Sequence, residues 1–103
     1  MIHAVYRWRV EPGKEHQFTQ AWVEGTRAIR AQVKGAGGSL LLRQRDDPTT
    51  FMAVAKWHSF EDWQAFSGDE SPAPEAFGQV ADISTLVAIE VFEEIQDLVI
   101  DEV

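Results

Sequence analysis

The 103-residue chain has 45% apolar, 11% aromatic and 25% charged side chains, which fits one packed domain over residues 1–103 and leaves no room for a second core. A net charge of −8 sets a negative field that opposes phosphate backbones and anionic lipid, so neither nucleic acid nor a membrane surface is expected as a partner. The absence of cysteine excludes disulfides, thiolate nucleophiles and cysteine-based metal sites, and with no signal-peptide or membrane-span pattern a cytoplasmic location is expected.

Ile2, Ala4, Tyr6, Trp8 and Val10 alternate with His3, Val5, Arg7 and Arg9, the two-residue period of a first strand. Glu11-Pro12-Gly13 breaks it, with Pro12 suited to open a helix. Phe18, Ala21, Trp22, Gly25, Ile29 and Val33 then recur at helical steps across Lys14 to Val33. Gly25 on that stripe points to a close approach or a small cavity. The run Gly35-Ala36-Gly37-Gly38 is expected to stop the helix, followed by a strand over Ser39 to Arg45 and the turn Asp46-Asp47-Pro48. A strand over Thr50 to His58 returns antiparallel. Ser59 then caps a helix whose Phe60, Trp63 and Phe66 are expected to face inward, with Asp62 as the capping-box partner. Pro74 opens a short helix carrying Phe77, Val80 and Ala81, and Thr85 to Ile95 forms the last strand.

This order, βαββαβ, is the ferredoxin-like α+β plait: an antiparallel sheet with its helices on one face. The bare face carries Val5, Met52 and Val54 among His3, Arg7, Lys56 and His58, and is expected to be covered by a second copy. A homodimer follows, with the acidic-apolar tail 96–103 available to cross to the partner.

Strand parity puts Tyr6 and Trp8 on the helix side with Phe51, Ala53, Ala55 and Trp57. The alanines leave room for a slot lined by Tyr6, Trp22 and Trp57, suited to a planar aromatic ligand; larger helix side chains filling that space is the alternative. These strand positions offer no histidine, aspartate or glutamate to serve as a base. An anionic substrate there would rely on Trp57 and Tyr6 as donors, supplemented by Arg43, Arg27 or Gln32. On the opposite face His3, His58 and Glu90 offer two imidazoles and one carboxylate; the simpler reading pairs Glu90 with Lys56, Arg7 or a histidine in an interfacial network, so no metal residues are assigned. His16 lies among Lys14, Glu15 and Gln17 on a solvated face and carries no expectation.

The segments YRWRVEPGKEHQF, Trp22, GGSLLLR and FMAVAKWHSFEDW, in this order between Ile2 and Phe66, resemble the antibiotic biosynthesis monooxygenase domain family. The resemblance implies a dimeric α+β barrel. The family includes cofactor-independent oxygenases of polyphenols or quinols, heme-degrading oxygenases and many members of unknown activity; a non-catalytic binding or stress-related module of the same fold is the rival expectation. In heme-degrading relatives an asparagine on strand one, a tryptophan ending strand three and a histidine on the second helical segment line the pocket. Trp57 matches that tryptophan, Tyr6 stands at the strand-one position, and no histidine follows His58, so the axial ligand is missing. The polyphenol branch, which needs neither metal nor flavin, fits better. It implies Trp57 as a substrate contact; together with the parity reading, Trp57 and Tyr6 are expected as catalytic residues and Trp22, Arg43, Phe51 and Ala55 as contacts for a small aromatic substrate.

Overall fold

The computed structural model describes residues 1–100. Seven elements follow in order: β1 (Ile2–Val10), α1 (Glu15–Gln32), β2 (Ala36–Arg43), β3 (Thr50–Trp57), α2 (Phe60–Gly68), α3 (Pro74–Asp82) and β4 (Ser84–Glu93). The strands form one antiparallel sheet in the order β2-β3-β1-β4. This is the expected ferredoxin-like plait, with the second helical crossover split into α2 and α3. None of the helices is long and apolar enough to cross a membrane.

The register of β1 on β3 pairs Ile2 with Trp57, Ala4 with Ala55, Tyr6 with Ala53 and Trp8 with Phe51. Paired residues share a face, so the alternating apolar set turns toward the helices and forms the core. Phe18 of α1 anchors it, 5.4 Å from the Trp8 ring and 5.0 Å from the Phe51 ring. Burying a ring of this kind contributes roughly 1.5–3 kcal/mol. Gly25 explains how α1 and α3 approach. A Cβ there would lie 2.5 Å from the Phe77 ring, so only glycine lets that ring lie against the helix.

Local signals account for the helix boundaries. Ser59 Oγ accepts the Asp62 backbone N–H at 3.1 Å at the start of α2, and Pro74 occupies the first turn of α3. Helix α1 starts at Glu15, so Pro12 lies in the preceding turn instead of inside the helix. The glycine run does more than stop α1. β2 begins at Ala36, which pairs with Trp57, and a register irregularity between Ala36 and Ser39 absorbs Gly37 and Gly38, the latter at φ 91°. Phe60 does not face inward. As the first residue of α2 it is 43% exposed, while Trp63 and Phe66 below it are half-buried.

The other side of the sheet is open. Leu40, Leu42 and Phe92 stand exposed there at 63%, 46% and 49%, beside Met52 and Val54. Ile95 and the residues 98–100 that follow β4 are apolar and exposed. The last three positions of the segment expected to cross to a partner, 101–103, lie outside the described residues.

Candidate functional site

Between the sheet and its helices lies a cavity of about 390 Å³. Its floor is Tyr6 and Trp8 from β1 with Ala53, Ala55 and Trp57 from β3, and Trp22, Ile29, Phe66, Phe77 and Val80 close it from the helix side. The floor has depth because Tyr6 stands beside Ala53 and Ala4 beside Ala55, so no second large side chain occupies the centre of the sheet. Trp22 forms a wall and leaves the centre unfilled. The result is a slot bounded by flat rings, matching the shape of a planar aromatic molecule.

Two polar groups in this apolar wall have incomplete hydrogen bonding. Trp57 is 2% exposed, its ring packs 5.1 Å from that of Phe66, and its indole N–H has no acceptor. A buried, unsatisfied donor costs about 1–3 kcal/mol. Tyr6 stacks on Trp8 at 5.8 Å, and its hydroxyl oxygen accepts the Trp63 indole N–H at 2.9 Å. Because the oxygen is the acceptor in that bond, the tyrosine's single O–H remains available to donate to another group. Burial raises the Tyr6 pKa above its ordinary value, partly offset by the Trp63 bond, so the phenol stays protonated at neutral pH. Tyr6 is therefore a donor and not a base.

The antibiotic biosynthesis monooxygenase family model matches residues 1–79 of this chain. The chain belongs to that family. SnoaB, a cofactor-independent oxygenase from Streptomyces nogalater, superposes with a TM-score of 0.78 at 23% identity over 94% of this chain and 95% of its own. Two proteins assigned to the antibiotic biosynthesis monooxygenases are similar in the same way. The one from Bordetella bronchiseptica has a TM-score of 0.80 at 17% identity, covering 92% of this chain and 97% of its own. The one from Deinococcus radiodurans has 0.77 at 16%, covering 97% and 98%. At these identities the superpositions establish the fold. No curated protein sequence matches the chain.

Within this antibiotic biosynthesis monooxygenase fold, Tyr6, Trp22, Ala55 and Trp57 all border the cavity, whereas Phe51 and Arg43 do not. Phe51 is 4% exposed and spent on the core against Phe18. Arg43 pairs with Phe51 and shares its side of the sheet, but it sits exposed at the end of the edge strand, beyond the cavity. Arg27 and Gln32 are exposed and also off the lining; the α1 residues with polar side chains that reach it are Thr26 and Arg30. Trp63, bonded to Tyr6, and Arg30, on the cavity lining, take positions that residue order did not reveal. Trp63 carried only the signal of an inward helix position, and Arg30 that of a basic residue in the last turn of a helix.

On the open face, His3 Nε2 lies 2.8 Å from Glu94 Oε1 and Arg7 Nε donates to Glu90 Oε1 at 3.2 Å. Glu90 is thus engaged with Arg7, and His58 lies exposed past the end of β3. Among the described residues no three histidine, aspartate or glutamate side chains gather to hold a metal ion.

Proposed function

We propose that this chain is a cofactor-independent monooxygenase acting on a small aromatic or quinol-like compound bound between sheet and helices. The observation that carries the reading is an aromatic-walled cavity bordered by Trp57, whose indole N–H has no partner, and by Tyr6, whose O–H is free to donate. Trp57 and Tyr6 act as donors to the substrate oxygen, with Trp22 and Ala55 shaping the slot. The likeness to SnoaB supports the same choice.

Such a reaction begins when a phenol or enol loses its proton. The resulting anion gives an electron to dioxygen, the radical pair forms a carbon–oxygen bond, and loss of water from the hydroperoxide leaves a carbonyl. Overall a CH₂ group and O₂ become C=O and H₂O. The two donors stabilise the anion in a site walled by apolar rings, where positioned hydrogen bonds lower the barrier. Among the described residues no aspartate, glutamate or histidine lines the cavity, so stabilisation of the anion carries the deprotonation instead of a side-chain base.

That same lack of a base favours a second reading, a binding module that holds an aromatic ligand without converting it. Oxygen uptake by the protein with hydroquinones, anthrones and catechols separates the two. Saturable uptake identifies the oxygenase; saturable binding without uptake identifies the module.

The functional unit in this proposal is a homodimer of 103-residue domains, joined through the open sheet face. The exposed Leu40, Leu42 and Phe92 support it, because a patch of this kind on a small protein is ordinarily covered. The exposed apolar tail supports a contribution from Ile95 and residues 98–100 to the same interface.

A further inference from the structure

The cavity has a charged corner that the reading above does not use. Arg30 lines it, and no carboxylate among the described residues does; Lys56 also borders the cavity but pairs with His3 and shares the open face of the sheet with it. Arg30 forms no ion pair among the described residues. In a chain of net charge −8, an unpaired cation at the cavity stands out against the surrounding field. Arg30 sits in the last turn of α1, where the helix dipole favours a cation, but the dipole does not account for its position on the cavity wall. Its position there follows from Gly38: the Arg30 side chain lies across that residue, with Cδ 3.9 Å from where a Cβ would stand. Thr26, one turn earlier on the same face of α1, and Ser39, next to Gly38, also line the cavity and add hydroxyls.

Resting on the aromatic-pocket reading, we propose that the ligand carries a carboxylate, taken by Arg30 at the β2 rim while its hydroxyl or carbonyl oxygen meets Tyr6 and Trp57. A planar guanidinium fork with no protein partner is suited to a carboxylate. β2 lies two places from β1 in the sheet, roughly 10 Å across the strands, and Tyr6 is level with Leu41, three residues along from Gly38, so a ligand that reaches both Arg30 and Tyr6 is at least two rings long.

The test is calorimetric titration of the protein at neutral pH with 6-hydroxy-2-naphthoate and with its neutral isostere 6-hydroxy-2-naphthamide. The wild type is expected to bind the carboxylate about tenfold more tightly than the amide. In Arg30→Gln, an exposed position where glutamine supports the helix, the ratio falls to near one. Equal binding of both compounds by the wild type overturns the carboxylate assignment and leaves the aromatic pocket standing. A carboxylate preference that survives Arg30→Gln overturns the role of Arg30. Binding of neither compound overturns this inference and the pocket reading together.

Discussion

Trp63 donates its indole N–H to the Tyr6 hydroxyl at 2.9 Å, joining residues 57 positions apart in the chain. This bond fixes how Tyr6 takes part in the site. With its oxygen engaged as an acceptor, the phenol offers a hydrogen and withholds a lone pair.

Tyr6 is the chain's single tyrosine, so absorbance at 295 nm titrates it alone. Burial raises its pKa, and the expected midpoint lies above 10 in the folded protein. The Trp63 bond acts in the opposite direction, so Trp63→Phe moves the midpoint higher still. The sign for stability follows: the folded state holds the proton more tightly than the unfolded chain. The stabilisation is therefore fully present below about pH 10 and is lost as the pH rises through the folded value. A midpoint at or below 10 contradicts this environment.

Gly25→Ala sets two effects against each other. Alanine favours the helix by about 1 kcal/mol, but its Cβ would meet the Phe77 ring at 2.5 Å, and overpacking of that kind costs about 1–3 kcal/mol. Packing is expected to win, lowering the urea midpoint. Phe77 lines the cavity, so affinity for an aromatic ligand falls as well. Gly25→Ala with Phe77→Leu is expected to recover part of the loss, the shorter side chain relieving the clash while giving up some of its own packing.

Asp47 closes the turn between β2 and β3, accepting the Thr50 hydroxyl at 2.7 Å and the Thr49 hydroxyl and N–H at 2.8 and 3.1 Å. The hydrogen bond from Thr50, followed by those from Thr49, holds its carboxyl below the usual carboxylate range. Its contribution to stability is present above the unfolded carboxyl pKa and is lost as the pH falls through the lower folded value. Comparing urea midpoints from pH 6 down to pH 2, Asp47→Ala is expected to be less stable at pH 6 and to converge on the wild type in acid.

The open sheet face gives an assembly prediction. At micromolar concentration the wild type is expected to sediment at twice 11.6 kDa, and Leu40→Glu, placing a charge on the exposed apolar face, to sediment as a folded monomer. A monomeric wild type removes the homodimer.

Much of this architecture was legible in the residues. The alternation from Ile2 to Val10, the Ser59 cap and Pro74 each specify a local structure that packing left intact, and parity correctly brought Tyr6, Ala55 and Trp57 to one cavity. The failures share a cause, because each depended on distant partners. Gly37 and Gly38 read as a helix stop, yet pairing with β3 drew them into a strand irregularity. Arg43 had the right parity but lay past the cavity's end, and Phe51 was claimed by Phe18. Arg30 and Trp63 carried local marks of helix position alone, since their places at the site depend on Gly38 and Tyr6 meeting them in the folded chain.

Trp57→Phe keeps a ring while removing the partnerless N–H. The smaller ring loses some packing, but relief of the unsatisfied donor offsets it, so stability is expected to change by less than about 1 kcal/mol. Turnover is expected to fall about 100-fold, the scale of losing one positioned donor.

The most direct test of the central claim is isotopic: metal-stripped protein, an anthrone substrate and ¹⁸O₂, with Trp57→Phe alongside. The account predicts one labelled oxygen in the product carbonyl and the other in water, formed at a saturable rate that collapses in the variant. Unlabelled substrate recovered from folded wild-type protein that binds it would contradict the oxygenase and leave a binding module.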